Sequence, residues 1–589
     1  MFNLKNNFYL ILLVVTSIIL YASLIEEGLF TVDEREYLYL SRAISERFSL
    51  DCSPYFKEFA TTGSNMALPL GFSGKDGKVY NGVTNRFGFP LLAAPFYKLF
   101  GICGLQVFNI MITLLTSVLI FFLSKKIYLN ESIAYVAAVL YSFCTFSMFY
   151  AVSLWYHSAI TFFFILSLTI LMYYSEKRTH FLGLFIISSL FCVWVAPYMF
   201  FPLFVLLLFF TLEMDNNYKK ITLISLFLFI LFSPALFISS FHHVPMNLLS
   251  RVTGWAPLSD SILVLFSLLL KISYMPFGFI AMFICRGCVS GFDEWAWCQK
   301  SILESSPFLI AALPGFIYLY RMGIDSRLKF ILSSNLIYIL MVIYARTDTF
   351  GSWELSMRYL LPVIPLLTIV SSEFISRFLN YRYLFLILVV STIFSYFSPT
   401  LFFNFWYYHL MSLSLYLAAL LLLIWVYQRT EGKYKLGVKN EIFVIVTLLI
   451  SLIFLSNFIN INDVKIGNEY RLRALIAPKE IETITEPESV VLLPRKSVYE
   501  RIEIKERIVL YYSGRGYVLF NQDYPNGDPI SSIKNTLSQY LERKKSVYVV
   551  IRDQGDWGIM KNFDMEYVAS FDIPPPTNEI YILKINSHQ

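Results

Sequence analysis

The amino-acid sequence predicts an all-α polytopic membrane protein with a small α/β domain at its C-terminal end. Of its 589 residues, 57% are hydrophobic and only 15% are charged, whereas a soluble globular protein carries roughly 25% charged residues. Apolar stretches long enough to cross a bilayer, about 17 to 25 residues each, recur from residue 8 to residue 458. The polar tail that follows has short β-rich runs. The composition therefore excludes a soluble globular protein.

Hydropathy predicts about thirteen membrane-spanning helices. The first follows Lys5 and has no small-residue cleavage site before Glu26, so we expect it to be retained rather than removed as a signal peptide. The predicted helices cover residues 8–25, 105–124, 132–152, 155–175, 181–196, 198–213, 220–241, 306–320, 329–345, 358–374, 383–398, 403–427 and 441–459.

Basic residues indicate the orientation of these helices. Starting from Lys5, every second short loop carries lysine or arginine, and the opposite loops are nearly free of lysine. Because basic short loops stay in the cytoplasm, we predict a cytoplasmic N-terminus in the plasma membrane and a tail outside. The formal charge of +6 reports this bias and does not indicate a nucleic-acid partner.

The apolar stretch 261–284 would reverse the orientation of every later loop if it crossed the membrane. We therefore expect it to lie on the outer surface, or to dip into the membrane and return. The predicted transmembrane domain is 1–460, with large outer loops at about 26–104 and 242–305. Residues 461–589 form the predicted extracytoplasmic α/β domain, with β-rich runs from Ser489 onward and one helical stretch at 531–542.

An acidic stretch, "TVDEREYLYLSRAI", directly follows the first predicted helix and contains Asp33, Glu34 and Glu36. One interpretation is structural, because Thr31 and Glu34 have the spacing of a capping box. Tyr37 then begins a row of apolar residues at helical spacing, which predicts an amphipathic helix on the membrane surface. The other interpretation is catalytic, because a carboxylate at the outer end of a membrane helix is well placed to act as a general base.

Basic residues are rare on the predicted outer side, so those present there need a reason. Arg346 and Arg358 flank the segment before the tenth helix, and Lys78 and Arg86 lie in the first outer loop. The five-donor fork of arginine suits phosphate oxygens. The alternative is interfacial snorkelling, in which the charged head reaches for water beside the bilayer.

Histidines and cysteines on the predicted outer side are weaker indications of a functional site. His157 lies between the third and fourth helices, where a hydrogen-bonded structural histidine is the alternative to a binding residue. Cys285, Cys288 and Cys298 share one outer loop, where an oxidising environment favours one disulfide. They lack a clear fourth zinc ligand, so no defined metal site is predicted and a divalent cation stays a candidate cofactor.

Several motifs in order resemble the GT-C superfamily of polytopic glycosyltransferases. The resemblance covers most of residues 1–460 and is nearest to the protein mannosyltransferase and aminoarabinose transferase types. The motifs, in chain order, are "VDEREYLYLSRAI", "DGKVYNGVTNRFGFPLLAAPFY", "LWYHSAI", "SSPFLIAALPGFIYLYR" and "GSWELSMRYLLPVIPLL".

The resemblance implies a glycosyltransferase that moves a sugar from a polyprenyl-phosphate donor to an acceptor hydroxyl on the outer face of the membrane. The partners implied are the lipid-linked donor, membrane lipids, and a lipid, glycan or protein acceptor. In this interpretation Asp33 is the base and Glu34 caps the helix while orienting the acceptor or a cation. The residues implied in donor or substrate binding are Arg358, Arg86, Lys78, His157, Tyr37, Trp353 and Glu354.

Two other functions compete with this one. A secondary transporter or lipid flippase commonly shows internal repeats and charges inside the crossings, whereas here the charges lie at the predicted outer ends. A non-catalytic scaffold that displays the tail leaves the acidic stretch and Arg358 unexplained.

The predicted orientation is tested by labelling single cysteines with a membrane-impermeant reagent. A cysteine placed near Lys433 should be protected in intact cells, and one near Asn526 should react, because the two positions lie on opposite sides in the predicted topology. Equal accessibility at both positions contradicts the topology.

Overall fold

The computed structural model describes part of the chain. The described residues are 4–26, 28, 32–55, 72–75, 78–81, 87–173, 180–213, 275–276, 279–284, 300–323, 326–345, 358–399, 439–486, 489–495, 516–521, 546–551, 564–571 and 580–587. The disulfide predicted among Cys285, Cys288 and Cys298, and the predicted helices at 220–241, 403–427 and 531–542, lie outside these residues. Most of the stretch 261–284 does so too, apart from residues 275–276 and 279–284.

The part of the chain that the structure describes up to residue 484 is mostly helical. Its α-helices are α1 Leu4–Ser23, α2 Val32–Arg47, α3 Gly88–Phe100, α4 Ile102–Tyr128, α5 Glu131–Cys144, α6 Ser147–Ala151, α7 His157–Tyr173, α8 His180–Val195, α9 Phe200–Glu213, α10 Ile302–Ser305, α11 Ala312–Met322, α12 Ser326–Ala345, α13 Ile364–Ser376, α14 Tyr381–Phe397 and α15 Lys439–Ile484. Short 3-10 turns at Ser53–Tyr55, Pro197–Met199, Pro307–Ala311 and Arg358–Val363, and a π-turn at Ile280–Ile284, complete the set.

Three of these helical segments are long and apolar enough to cross a bilayer. They are Ile102–Tyr128, Arg358–Ser376 and Ile445–Glu469, and the described residues also include shorter apolar helices of 10 to 17 residues. The chain is therefore a membrane-embedded protein, as the composition predicts, while thirteen crossings remain a prediction.

Two of the predicted helices differ from the structure by more than a few residues in length. The predicted helix 132–152 is broken at Thr145, which has extended backbone angles and whose hydroxyl donates to the Tyr141 carbonyl at 2.7 Å. The helix predicted to end near residue 459 continues to Ile484. Hydropathy marks where apolar residues stop, but a helix continues as long as its own backbone hydrogen bonds form.

Asparagine side chains of α15 satisfy backbone groups at the ends of other helices. Asn457 Nδ2 donates to the Phe143 carbonyl at 2.8 Å. Asn460 Nδ2 donates to the carbonyls of Cys144 at 3.1 Å and Ser305 at 2.9 Å. Both asparagines are fully buried. Because a buried carbonyl without a donor costs free energy, these bonds stabilise the breaks after α5 and α10.

An ion pair follows on the same helix. Lys300, just before α10, pairs with Asp463, and each side chain is only 2% exposed. Asp463 lies three residues beyond Asn460, so the two share one face of α15. Removing either charge would leave the other buried without this counter-charge, which is strongly destabilising.

The chain divides into two compact units. The first comprises Met1–Ile25 and Gln106–Ile466, and the second comprises Glu26–Leu105 and Gly467–Gln589. The division predicted from sequence, 1–460 and 461–589, stays a prediction.

The second unit contains helices and two sheets. Its hairpin pairs β1 Phe72–Lys75 with β2 Lys78–Asn81. In the tail, β3 Val490–Arg495, β4 Gly516–Asn521, β5 Val547–Ile551, β6 Asp564–Phe571 and β7 Ile580–Ser587 form one sheet in the order β4-β3-β5-β7-β6. Strand β3 is parallel to β4 and β5, and β7 is antiparallel to β5 and β6.

The apolar face of α2 is covered by protein, whereas the sequence predicts that it lies on the membrane surface. Leu40 and Ile44 are buried, and the Tyr37 ring meets the Phe89 ring of α3 edge-on, with centroids 5.6 Å apart. An amphipathic pattern indicates which face is buried but not what covers it.

Candidate active site

Arg358 is held by aromatic rings at the start of a candidate membrane span. It begins the 3-10 turn that leads into α13, and its side chain is 9% exposed. The guanidinium carbon lies 5.2 Å from the ring centroid of Trp155 and 5.0 Å from that of Tyr359. Arg358 Nη2 also donates to the Tyr359 hydroxyl at 3.1 Å. Stacking on aromatic faces stabilises the cation and fixes the plane of its fork.

His157 joins the same group of side chains, which we call the aromatic cluster: Tyr150, Trp155, His157, Arg358 and Tyr359. His157 is the first residue of α7 and is 1% exposed. Its ring centroid lies 5.5 Å from Tyr359, 5.8 Å from Tyr150 and 6.3 Å from Trp155. The structure therefore brings together Arg358 and His157, which the sequence singled out about 200 positions apart.

Two amide side chains of α4 support the aromatic cluster. Asn109 Nδ2 donates to the carbonyls of Ser153 at 2.8 Å and Trp155 at 2.9 Å. Gln106 Nε2 donates to the Val152 carbonyl at 2.8 Å. These bonds hold the loop between α6 and α7 that carries Trp155.

Sequence reasoning did not single out Asn109 or Gln106. The available signal was a pair of amides at i and i+3 inside an otherwise apolar predicted crossing. That spacing puts both on one helix face, and polar side chains inside membrane helices commonly bond to other helices.

The aromatic cluster is also tied to α12. Tyr338, which is fully buried, donates its hydroxyl to the carbonyl of Tyr359. The backbone of the residue that follows Arg358 is thus fixed by a helix distant in sequence. The Arg358 guanidinium is therefore held by the rings of Trp155 and Tyr359, by its hydrogen bond to the Tyr359 hydroxyl, and by the adjacent backbone.

The acidic stretch lies on α2, in the second unit. Glu34 is fully buried, and its Oε1 accepts from Arg471 Nη2 at 2.9 Å. Asp33 lies in the first turn of the same helix, but its side chain is outside the described residues. Burial raises the pKa of the Tyr39 hydroxyl on the same helix, against the lowering effect of Arg35 and Arg42.

The remaining predicted site residues are described only in part or not at all. Lys78 is in strand β2, with no side chain described. Arg86, Arg346, Trp353 and Glu354 lie outside the described residues, as does Thr31. Within the part of the chain that the structure describes, no three or more His, Cys, Asp or Glu side chains form a metal-binding group.

The support that Asn109 provides is testable by hydrogen exchange. Asn109→Ala removes two buried hydrogen bonds to the loop, each contributing about 0.5–1.5 kcal/mol, so backbone amides at 152–156 should exchange faster. Asn335→Ala is the matched control, because Asn335 is buried but donates to Ile331 of its own helix at 2.9 Å. Equal exchange at 152–156 in the two variants contradicts the assignment.

The chain is similar in structure to known membrane proteins. ArnT from Cupriavidus metallidurans in the apo state matches with 12% identity and a TM-score of 0.51, over 98% of each chain. The same protein bound to undecaprenyl phosphate matches with 10% identity and a TM-score of 0.52, again over 98% of each chain. The archaeal oligosaccharyltransferase AglB from Archaeoglobus fulgidus matches with 11% identity and a TM-score of 0.42, over 98% of this chain and 74% of that one.

No protein-family model and no curated protein sequence matches the chain. The structural match to ArnT nevertheless extends over almost the whole of both proteins. The resemblance inferred from the ordered motifs is therefore confirmed at the level of the fold: this chain has the fold seen in ArnT.

Proposed function

We propose that this protein is a membrane glycosyltransferase that moves a sugar from a polyprenyl-phosphate donor to an acceptor hydroxyl on the outer face of the plasma membrane. The observation that carries the proposal is Arg358, a nearly buried guanidinium fixed by aromatic rings at the start of an apolar segment long enough to span a bilayer. The fold supports it, because a solved structure of this fold holds undecaprenyl phosphate.

The chemistry needs a fixed cation. The acceptor oxygen attacks the anomeric carbon, the bond from that carbon to the phosphate oxygen breaks, and polyprenyl phosphate leaves with the electron pair. Negative charge grows on the phosphate as the bond breaks, and a preorganised donor placed there stabilises the transition state more than the ground state. Arg358 is the residue that we assign to this phosphate, with Arg86 and Lys78 as further candidates.

The reaction also needs a base. The acceptor hydroxyl loses its proton as it attacks, and a positioned carboxylate can take it. We assign this role to Asp33 in the first turn of α2. His157 lies in the aromatic cluster with Arg358 and is proposed to contact the substrate, as are Tyr37, Trp353 and Glu354. A divalent cation remains a candidate cofactor.

Transfer is tested by supplying the purified protein in nanodiscs with a panel of polyprenyl-phosphate sugars. The proposal expects at least one donor to be consumed, with release of polyprenyl phosphate and appearance of the glycosylated acceptor or free sugar. The alternative function, a transporter or lipid flippase, predicts movement of lipid across vesicles with every donor left intact. That outcome contradicts the proposal.

Arg358→Lys keeps the charge but loses the planar fork, so kcat/KM for the donor should fall by about 10- to 100-fold, in line with hydrogen bonds to charged groups. Arg382→Lys is the matched control. Arg382 also lies over two rings, 5.4 Å from Tyr9 and 5.7 Å from Tyr381, but it is exposed. If both variants transfer sugar like the wild type, Arg358 is a structural residue.

Asp33→Asn keeps the size of the side chain but removes its ability to accept a proton. Turnover should fall by roughly 10² to 10⁴, the usual contribution of general base catalysis, while donor binding stays close to that of the wild type. Glu36→Gln, three positions along the same helix, is the control and should keep most of the activity. Unchanged turnover in a folded Asp33→Asn protein would assign the acidic stretch to helix capping alone.

A further inference from the structure

We propose that Arg471 is a positioning residue for the reaction: it binds Glu34 and thereby fixes the first turn of α2, on which Asp33 lies. The inference rests on the proposed function. The sequence patterns assign no role to Arg471, and the family resemblance implies that Glu34 orients the acceptor or a cation. Here, instead, Glu34 acts through Arg471 and does not contact the substrate.

The contact is a buried ion pair between residues far apart in sequence. Arg471 Nη2 donates to Glu34 Oε1 at 2.9 Å across a separation of 437 positions, and both side chains have no exposed surface. Arg471 Nη1 also donates to Asn468 Oδ1 at 3.2 Å, which fixes the guanidinium on its own helix. Arginine stays protonated in proteins, so a buried guanidinium needs a counter-charge such as the one that the Glu34 carboxylate supplies.

A second contact holds the chain that enters α2. Gly28 is buried with φ of +124°, a backbone conformation that favours glycine. A Cβ built on Gly28 would lie 2.7 Å from the Arg471 carbonyl oxygen, so the two backbones touch. Arg471 therefore contacts this segment twice, with its carbonyl at Gly28 and with its guanidinium at Glu34.

These two contacts determine how the first turn of α2 is oriented. Successive residues of an α-helix are about 100° apart around its axis. Since Glu34 is bound to Arg471, the rotation of α2 about its own axis is fixed. The position of the neighbouring residue, Asp33, around that axis is then fixed as well. A displacement of a catalytic group by about 1 Å can cost about 10²-fold in rate, so a residue that sets this rotation affects turnover without touching the substrate.

The test uses variants that keep a balanced charge. Arg471→Gln alone removes the positive charge that faces the buried Glu34 carboxylate and threatens folding. The double variant, which combines Glu34→Gln with Arg471→Gln, removes both charges and keeps two groups that can still hydrogen-bond. Its matched control combines Glu486→Gln with Lys584→Gln, which removes an exposed ion pair of 2.8 Å in the same unit and should have little effect.

The inference expects the double variant at positions 34 and 471 to fold, with kcat lowered by about 10- to 100-fold, an unchanged donor KM, and faster hydrogen exchange at 32–40. Arg471→Lys, which keeps a cation, should recover part of the turnover. Wild-type kcat in the folded double variant overturns the inference, and so does unchanged exchange at 32–40. The Mg²⁺ or Mn²⁺ concentration needed for half-maximal activity is compared between the wild type and Glu34→Gln. A shift in that concentration also overturns the inference, because Glu34 would then bind the cation.

The same assay separates this inference from the proposed function. If the wild type consumes no donor, or if Asp33→Asn turns over normally, the proposed function fails, while hydrogen exchange still tests the contact between Arg471 and α2. If Asp33→Asn is inactive and the double variant has wild-type kcat, only the positioning role fails.

Discussion

Within a bilayer there is no water to hydrogen-bond to backbone groups at the end of a helix. The first unit, Met1–Ile25 and Gln106–Ile466, therefore depends on side chains that satisfy those groups. Amide side chains on long helices do this at several breaks. Asn457 and Asn460 donate to carbonyls at the C-terminal ends of α5 and α10, and Gln106 and Asn109 donate to the loop before α7. The helices can therefore break inside the protein, and the loops that result are held in place.

The aromatic cluster is a consequence of such a break. The loop between α6 and α7 carries Trp155, α7 begins with His157, and a 3-10 turn near α13 supplies Arg358. None of these elements alone fixes the guanidinium. Trp155 provides a ring face, Tyr359 provides a second face and a hydroxyl, and Asn109 holds the loop that carries Trp155. A catalytic group gains most when its supports hold it in place before substrate binds.

Two buried arginines, Arg358 and Arg471, illustrate different uses of one side chain. Arg358 packs against rings beside a hydroxyl, whereas Arg471 pairs with the carboxylate of Glu34. In the proposed reaction the first contacts the donor phosphate and the second holds the helix that carries the base, so the acidic stretch contains one carboxylate for chemistry and one for position.

Hydropathy and ordered motifs are local properties of the chain, so the sequence alone predicted the membrane class, the approximate position of helices such as α4 and α13, and the likeness in fold to a polytopic glycosyltransferase. It also singled out Arg358, since a basic residue on the predicted outer side needs a reason. Helix packing, in contrast, places Arg358 and His157 in one cluster, brings Asn109 to its loop, and pairs Glu34 with Arg471. These contacts join residues tens to hundreds of positions apart, and no local pattern states which of many polar side chains will meet once the helices have packed.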